Sequence, residues 1–75
     1  MKRKYFLVLF NEGQEMGYTE FFEGTRKEVD ERGTKMYNLI QYALPKATIT
    51  VEIQDHNCKA LKVVDGFNLK RKKEL

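Results

Sequence analysis

The stretch Lys4-Tyr5-Phe6-Leu7-Val8-Leu9-Phe10, followed by Asn11-Glu12-Gly13, decides the reading of this chain. Six consecutive aromatic and aliphatic residues predict a strand that is covered on both faces and therefore central in its sheet. Asn-Glu-Gly is turn chemistry, because glycine takes a positive φ without steric cost. Residues 15–23 then resume a strand pattern, with Tyr18, Thr19, Phe21 and Phe22 as the β-formers. Together the two segments predict a hairpin. With residues 11–13 as a three-residue loop, Phe6, Val8, Phe10, Met16 and Tyr18 share one face, and Tyr5, Leu7, Leu9 and Phe21 share the other.

Beyond the hairpin the period changes. Thr25 and Glu28 have the spacing of a capping box, in which the threonine hydroxyl and the glutamate carboxylate each accept the other residue's amide. Val29, Gly33, Met36, Ile40 and Ala43 or Leu44 recur at helical spacing, flanked by Tyr37 and Leu39. Gly33 costs about 1 kcal/mol relative to alanine inside a helix, and its place on the buried stripe predicts a close helix–sheet approach. Pro45 ends the helix. Residues 47–54 alternate cleanly, with Ile49, Val51 and Ile53 on one side and Thr48, Thr50, Glu52 and Gln54 on the other. Asp55-His56-Asn57-Cys58 turns the chain, and residues 59–64 return with Leu61 and Val63 inward. Asp65-Gly66 is a further turn, after which Phe67 and Leu69 add a short strand or pin the end.

The expected fold class is α+β: a single ββαββ domain over residues 1–69, with a basic C-terminal tail at 70–75. One helix covers one face of a mostly antiparallel four-stranded sheet. By analogy of element order, the first and last strands would pair in parallel at the centre, as in the β-grasp fold.

The charge is polarised along the chain. Lys2, Arg3, Lys4, Lys70, Arg71, Lys72 and Lys73 are half of the 14 basic residues. Residues 5–69 keep seven basic against ten acidic residues, so a formal charge of +3 and a pI near 9.1 sit on an acidic body. That argues against a simple basic nucleic-acid binder. Glu12, Glu15, Glu20 and Glu23 concentrate acid in the first hairpin, which reads as a solvated surface or as a face for a basic partner.

Little in the chain can carry a reaction. There is no serine. The one thiol, Cys58, and the one imidazole, His56, lie in a turn without a water-excluding pocket, with Asp55 as the only adjacent orienting group. One Cys and one His fall short of the four ligands of a structural zinc site, and the five isolated glycines form no phosphate loop. The chain is therefore expected to be no enzyme, with no metal and no cofactor. A six-residue apolar run cannot span a bilayer, which takes about 20 residues as a helix. No membrane partner and a cytoplasmic location are expected, and a lone cysteine agrees with a reducing compartment.

A single helix leaves one sheet face open, and contiguous exposed apolar area marks a contact site. The chain thus reads as a small non-catalytic interaction domain that binds a protein partner or itself. An inhibitor or adaptor of the kind carried by mobile elements fits that description. The partner-binding residues are expected to be Tyr5, Leu7, Leu9 and Phe21. The alternative is weak, sequence-independent nucleic-acid binding by Lys2, Arg3, Lys4, Lys70, Arg71, Lys72 and Lys73.

Overall fold

The computed structural model describes residues 2–66. In chain order these form β1 (Arg3–Asn11), β2 (Gln14–Gly24), α1 (Arg26–Ala43), β3 (Ile49–Asp55) and β4 (Ala60–Val64). The ββαββ order and the α+β class are as the sequence predicts. The four strands form one sheet in the order β2-β1-β3-β4, and every neighbouring pair is antiparallel. The parallel pairing of first and last strands is not adopted. β1 is central, but its second partner is β3, and β4 lies at the edge. β2 and β3 therefore run parallel to each other, with β1 between them and α1 as the crossover.

The β1–β3 register selects the face that α1 covers. Leu7 lies opposite Ile53, Leu9 opposite Val51 and Asn11 opposite Ile49. The aliphatic side of β3 thus extends the odd-numbered side of β1. Val29, Gly33, Met36 and Tyr37 of α1 are buried over this surface, and Tyr5 and Val64 complete the core. On the other side, Phe6, Val8 and Phe10 oppose Gln54, Glu52 and Thr50. A polar row of this kind cannot lie under an apolar helix without stranding its hydrogen-bonding groups.

Two sequence expectations shift by one residue. The first turn has two residues, not three: Asn11 pairs with Gln14, and Glu12 and Gly13 have φ of 53° and 80°. Positive φ at both central residues is the primed turn whose twist suits a hairpin. A one-residue slip reverses every side chain of the second strand. Phe21 is consequently opposite Phe6, Thr19 opposite Val8 and Glu15 opposite Phe10. Between Val8 and Phe10 the register shifts, and Gly17, at φ 74°, lies in the bulged part of β2. The second shift is in β4. An irregularity between Ile53 and Gln54 places Val64 opposite Val51 and into the core, leaving Val63 exposed opposite Glu52. Leu61, expected inward, is partly buried against the core.

The helix begins as its sequence predicts. The Glu28 amide donates to Thr25 Oγ1 at 3.1 Å, and the Thr25 amide donates to Glu28 Oε1 at 2.8 Å. At the other end Gln41 fastens the helix to β3. Its Nε2 donates to the Leu44 and Ala47 carbonyls at 2.9 and 2.7 Å, and its Oε1 accepts from the Ile49 amide at 3.1 Å. Asn11 Oδ1 accepts from the Thr48 amide at 3.2 Å, which ties the first turn to the same corner.

At Gly33 the helix lies close against the sheet. A β-carbon there would lie 3.0 Å from Ile53 Cδ1 and 3.5 Å from Leu7 Cδ2. Gly33→Leu should therefore cost about 1–3 kcal/mol or more through overpacking, read as a lower urea midpoint. An unchanged midpoint would show that the contact is not tight.

Candidate functional site

One face of the sheet is covered by no helix of the described residues, and the strand registers map it row by row. Phe21, Phe6, Gln54 and Ala60 form one row; Thr19, Val8, Glu52 and Val63 form the next; Glu15, Phe10 and Thr50 form the third. Lys4 and Glu23 face each other at the far end. Phe21 is 56% exposed, and its ring lies 5.9 Å from that of Phe6, tilted by 59°. Phe6 and Phe10 are half-buried. Val8 is only 5% exposed although no element of the described residues lies over it, because its neighbours on the three rows close around it. Phe6, Val8, Phe10, Glu15, Gln54 and Cys58 line a shallow depression here.

Of the four residues predicted to bind a partner, only Phe21 is on this face. Tyr5, Leu7 and Leu9 are 5%, 0% and 5% exposed and belong to the core under α1. A three-residue loop would set them on the same side as Phe21; the two-residue turn separates them. The open-face residues outside that prediction are Phe6, Val8 and Phe10. The alternation of β3 was the available signal. Once β1 pairs with β3, Ile49, Val51 and Ile53 claim the odd side of β1 for the core.

The helix is not centred on the sheet. It packs chiefly on β3 and only lightly on β2. Met16 and Tyr18 of β2 therefore remain exposed beside Leu39 of α1, around a cleft of about 260 Å³ with Leu9, Met36 and Ile40 at its base. Arg32 and Glu20 bridge this edge. Arg32 Nε and Nη2 donate to the two carboxylate oxygens of Glu20, both at 2.6 Å. The hydrogen bonds and charge of Arg32 hold the Glu20 carboxyl below the usual carboxylate range, and Glu20 in turn raises Arg32.

The charged groups of the last turn serve the backbone. Asp55 Oδ1 accepts from the Asn57 and Lys59 amides at 2.8 and 2.9 Å. The Lys59 amide is the main reason that the Asp55 carboxyl is held low. Asp55 is thereby occupied, and His56 and Cys58 are exposed in the turn. Among the described residues no group of three His, Cys, Asp or Glu side chains could hold a metal ion. No helix of the described residues is long and apolar enough to cross a membrane.

Of the basic ends, Lys2, Arg3 and Lys4 are exposed at the start of β1. Lys70, Arg71, Lys72 and Lys73, like Phe67 and Leu69, lie outside the described residues. The last described residue, Gly66, lies close to the Tyr37 hydroxyl, on the helix side of the sheet.

Comparison with protein-family models, with curated proteins and with solved structures gives no match.

Two expected outcomes follow from this map. Leu7→Thr should destabilise the domain by about 2–5 kcal/mol, as large-to-small changes in a closed core do, while Phe21→Ser should leave the urea midpoint nearly unchanged. Equal effects of the two substitutions would contradict the face assignment. The second outcome concerns acid. Glu20, Glu28 and Asp55 all have lowered carboxyl pKa values in the folded state. Such groups add stability that is complete above the unfolded carboxylate range and is lost as the pH falls through their lowered folded values. Urea midpoints measured from neutral pH down to about pH 3 should therefore fall, and Glu20→Gln should flatten that fall. A fall of equal depth in Glu20→Gln would show that the Arg32 bridge contributes nothing.

Proposed function

We propose that this chain is a small non-catalytic interaction domain that docks a protein partner on its open sheet face and acts by occupying that partner's surface, as an inhibitor or adaptor does. The observation that carries the reading is Phe21, an exposed aromatic ring packed at a tilt against Phe6 on the edge strand of a face that no helix of the described residues covers. Large aromatic side chains are the usual anchors of protein interfaces. A well-packed β1–β3 core on the opposite side supports the same reading, since the face can be engaged without disturbing the fold.

The nucleic-acid alternative is less well supported. Base stacking on a sheet wants aromatic rings beside basic side chains. Here, among the paired residues of the described strands, the rings of Phe6, Phe10 and Phe21 have Glu15, Glu23 and Glu52 as charged neighbours, and Lys4, opposite Glu23, as the one base.

The test is capture from the source cell on immobilised full-length chain, with and without nuclease, beside the Phe21→Ser variant. Capture should resist nuclease and fall about tenfold or more in the variant, the scale expected for losing a buried phenyl anchor. Release by nuclease, or equal capture by the variant, would overturn the proposal.

A further inference from the structure

We infer that the partner of the open face is an arginine-rich protein surface, an inference that rests on the docking reading above and names the chemistry of what docks. The argument starts from the distribution of charge between the two sides of the sheet. On the open face, the three rows from Phe21 to Thr50 contain two carboxylates, Glu15 and Glu52, and no basic residue. Of the seven basic residues of the body, Arg26, Lys27, Arg32 and Lys35 are on α1, Lys62 reaches towards Asp30 of the helix at 3.8 Å, and Lys46 and Lys59 lie in the connections before β3 and β4. Glu52 accepts one hydrogen bond, from Gln54 Nε2 at 2.9 Å, and forms no ion pair among the described residues. Neither does Glu15.

The rings sharpen the choice between cations. Phe6 lies between Phe21 and Gln54 in one row; Glu52, in the next row, is one strand from Phe6 and two from Phe21, and Glu15 is directly opposite Phe10. A guanidinium can stack on a phenyl face and still direct two donors into a neighbouring carboxylate. An ammonium is more strongly hydrated and has no planar face to stack. The combination of phenyl rings with carboxylates within a strand spacing or two therefore favours arginine over lysine.

A second copy of this chain fits poorly. Four strands about 4.8 Å apart and some seven residues long give a face of roughly 450 Å² in projection. Two such faces together fall short of the roughly 1,200 Å² at the lower limit of a standard stable interface. Face-to-face packing about a two-fold axis through the centre of the face would also bring Glu52 to within about one strand spacing of its own symmetry mate, and like charges that close oppose association. Phosphate is repelled by the same carboxylates. A basic protein surface gains from both the rings and the charges, and it can extend past the edge of the sheet to bury more area.

The experiment titrates the full chain with octa-arginine and, separately, with octa-lysine, following backbone amide resonances at about 0.05 M and 0.5 M salt. Octa-arginine should shift the Phe6, Thr19, Phe21 and Glu52 amides and bind about fivefold more tightly than octa-lysine, the margin that an exposed cation–π contact supplies. Phe21→Ser should bring the two peptides level. The double variant Glu15→Gln, Glu52→Gln should weaken octa-arginine binding about tenfold and flatten its salt dependence. Equal binding of the two peptides to the unaltered chain, or shifts centred on other acidic residues such as Glu12 and Glu31, would overturn the inference. So would a dimer in sedimentation that Phe21→Ser abolishes, or an oligothymidine that shifts the same amides. Capture of the cellular partner separates the two readings. If capture is lost in Phe21→Ser but unchanged in the double glutamine variant, the docking face stands and the arginine chemistry fails.

Discussion

The pairing of β1 with β3 is the constraint on which the rest of this structure depends. It sets Leu7 against Ile53 and Leu9 against Val51, and so concentrates the aliphatic side chains of two central strands on one side of the sheet. β3 is aliphatic on one side only, so a slip of one residue against β1 would turn Ile49, Val51 and Ile53 away from the core. A domain of this size buries only about 60% of the surface exposed in its unfolded chain, so it has little core to spare. The helix follows from this pairing. Its stripe of Val29, Gly33, Met36 and Tyr37 lies where Leu7 and Ile53 are, and Gly33 admits Ile53 to within contact distance of the helix backbone.

The same pairing leaves the phenyl rings of Phe6 and Phe10 on the polar side. A strand that is apolar throughout serves two purposes when only one of its faces is covered. The odd residues build the core, and the even residues form a surface whose neighbours, Thr50, Glu52 and Gln54, are polar. Val8 can be nearly fully buried there at low cost because larger neighbours surround it. Phe21, at the outer strand, has neighbours on one side only and stays exposed. The exposed ring is therefore a consequence of sheet order: β2 is an edge strand.

Much of this was legible in the chain itself. The capping box at Thr25 and Glu28, the stop at Pro45, the alternation of residues 49–54 and the turn at Asp55 each rest on local chemistry, and each is where the sequence predicts it. Strand pairing is different in kind. Whether β1 takes β3 or β4 as its second neighbour depends on contacts between distant segments, and both have an inward-facing aliphatic side. The division of the first hairpin between core and open face departs from the sequence expectation for a smaller reason with a large effect. Residues 11–13 contain glycine and asparagine, which suit two- and three-residue turns alike, and the difference of one residue decides whether Phe21 sides with Leu7 or with Phe6. Tyr5, Leu7 and Leu9 are as apolar as any docking surface would be; only the register shows that they are committed to the core.

The overall charge of the chain says the opposite of what its open face says, and distance decides between them. At physiological salt the screening length is about 8 Å, whereas the domain is 18 Å through its thinnest dimension. A ligand arriving at the open sheet face is more than one screening length from most of the arginine and lysine side chains on the outer side of α1. Among the described residues of the face itself, it meets Glu15, Glu52 and Glu23 among phenyl rings, with Lys4 at one corner. A net charge of +3 and a pI near 9.1 are sums over surfaces that no single ligand feels together. The partition arises because β3 alternates isoleucine and valine with threonine, glutamate and glutamine, and the helix, recruited to the aliphatic side, carries its own basic residues away with it. The acidic character of the open face is thus built by the same alternation that builds the core.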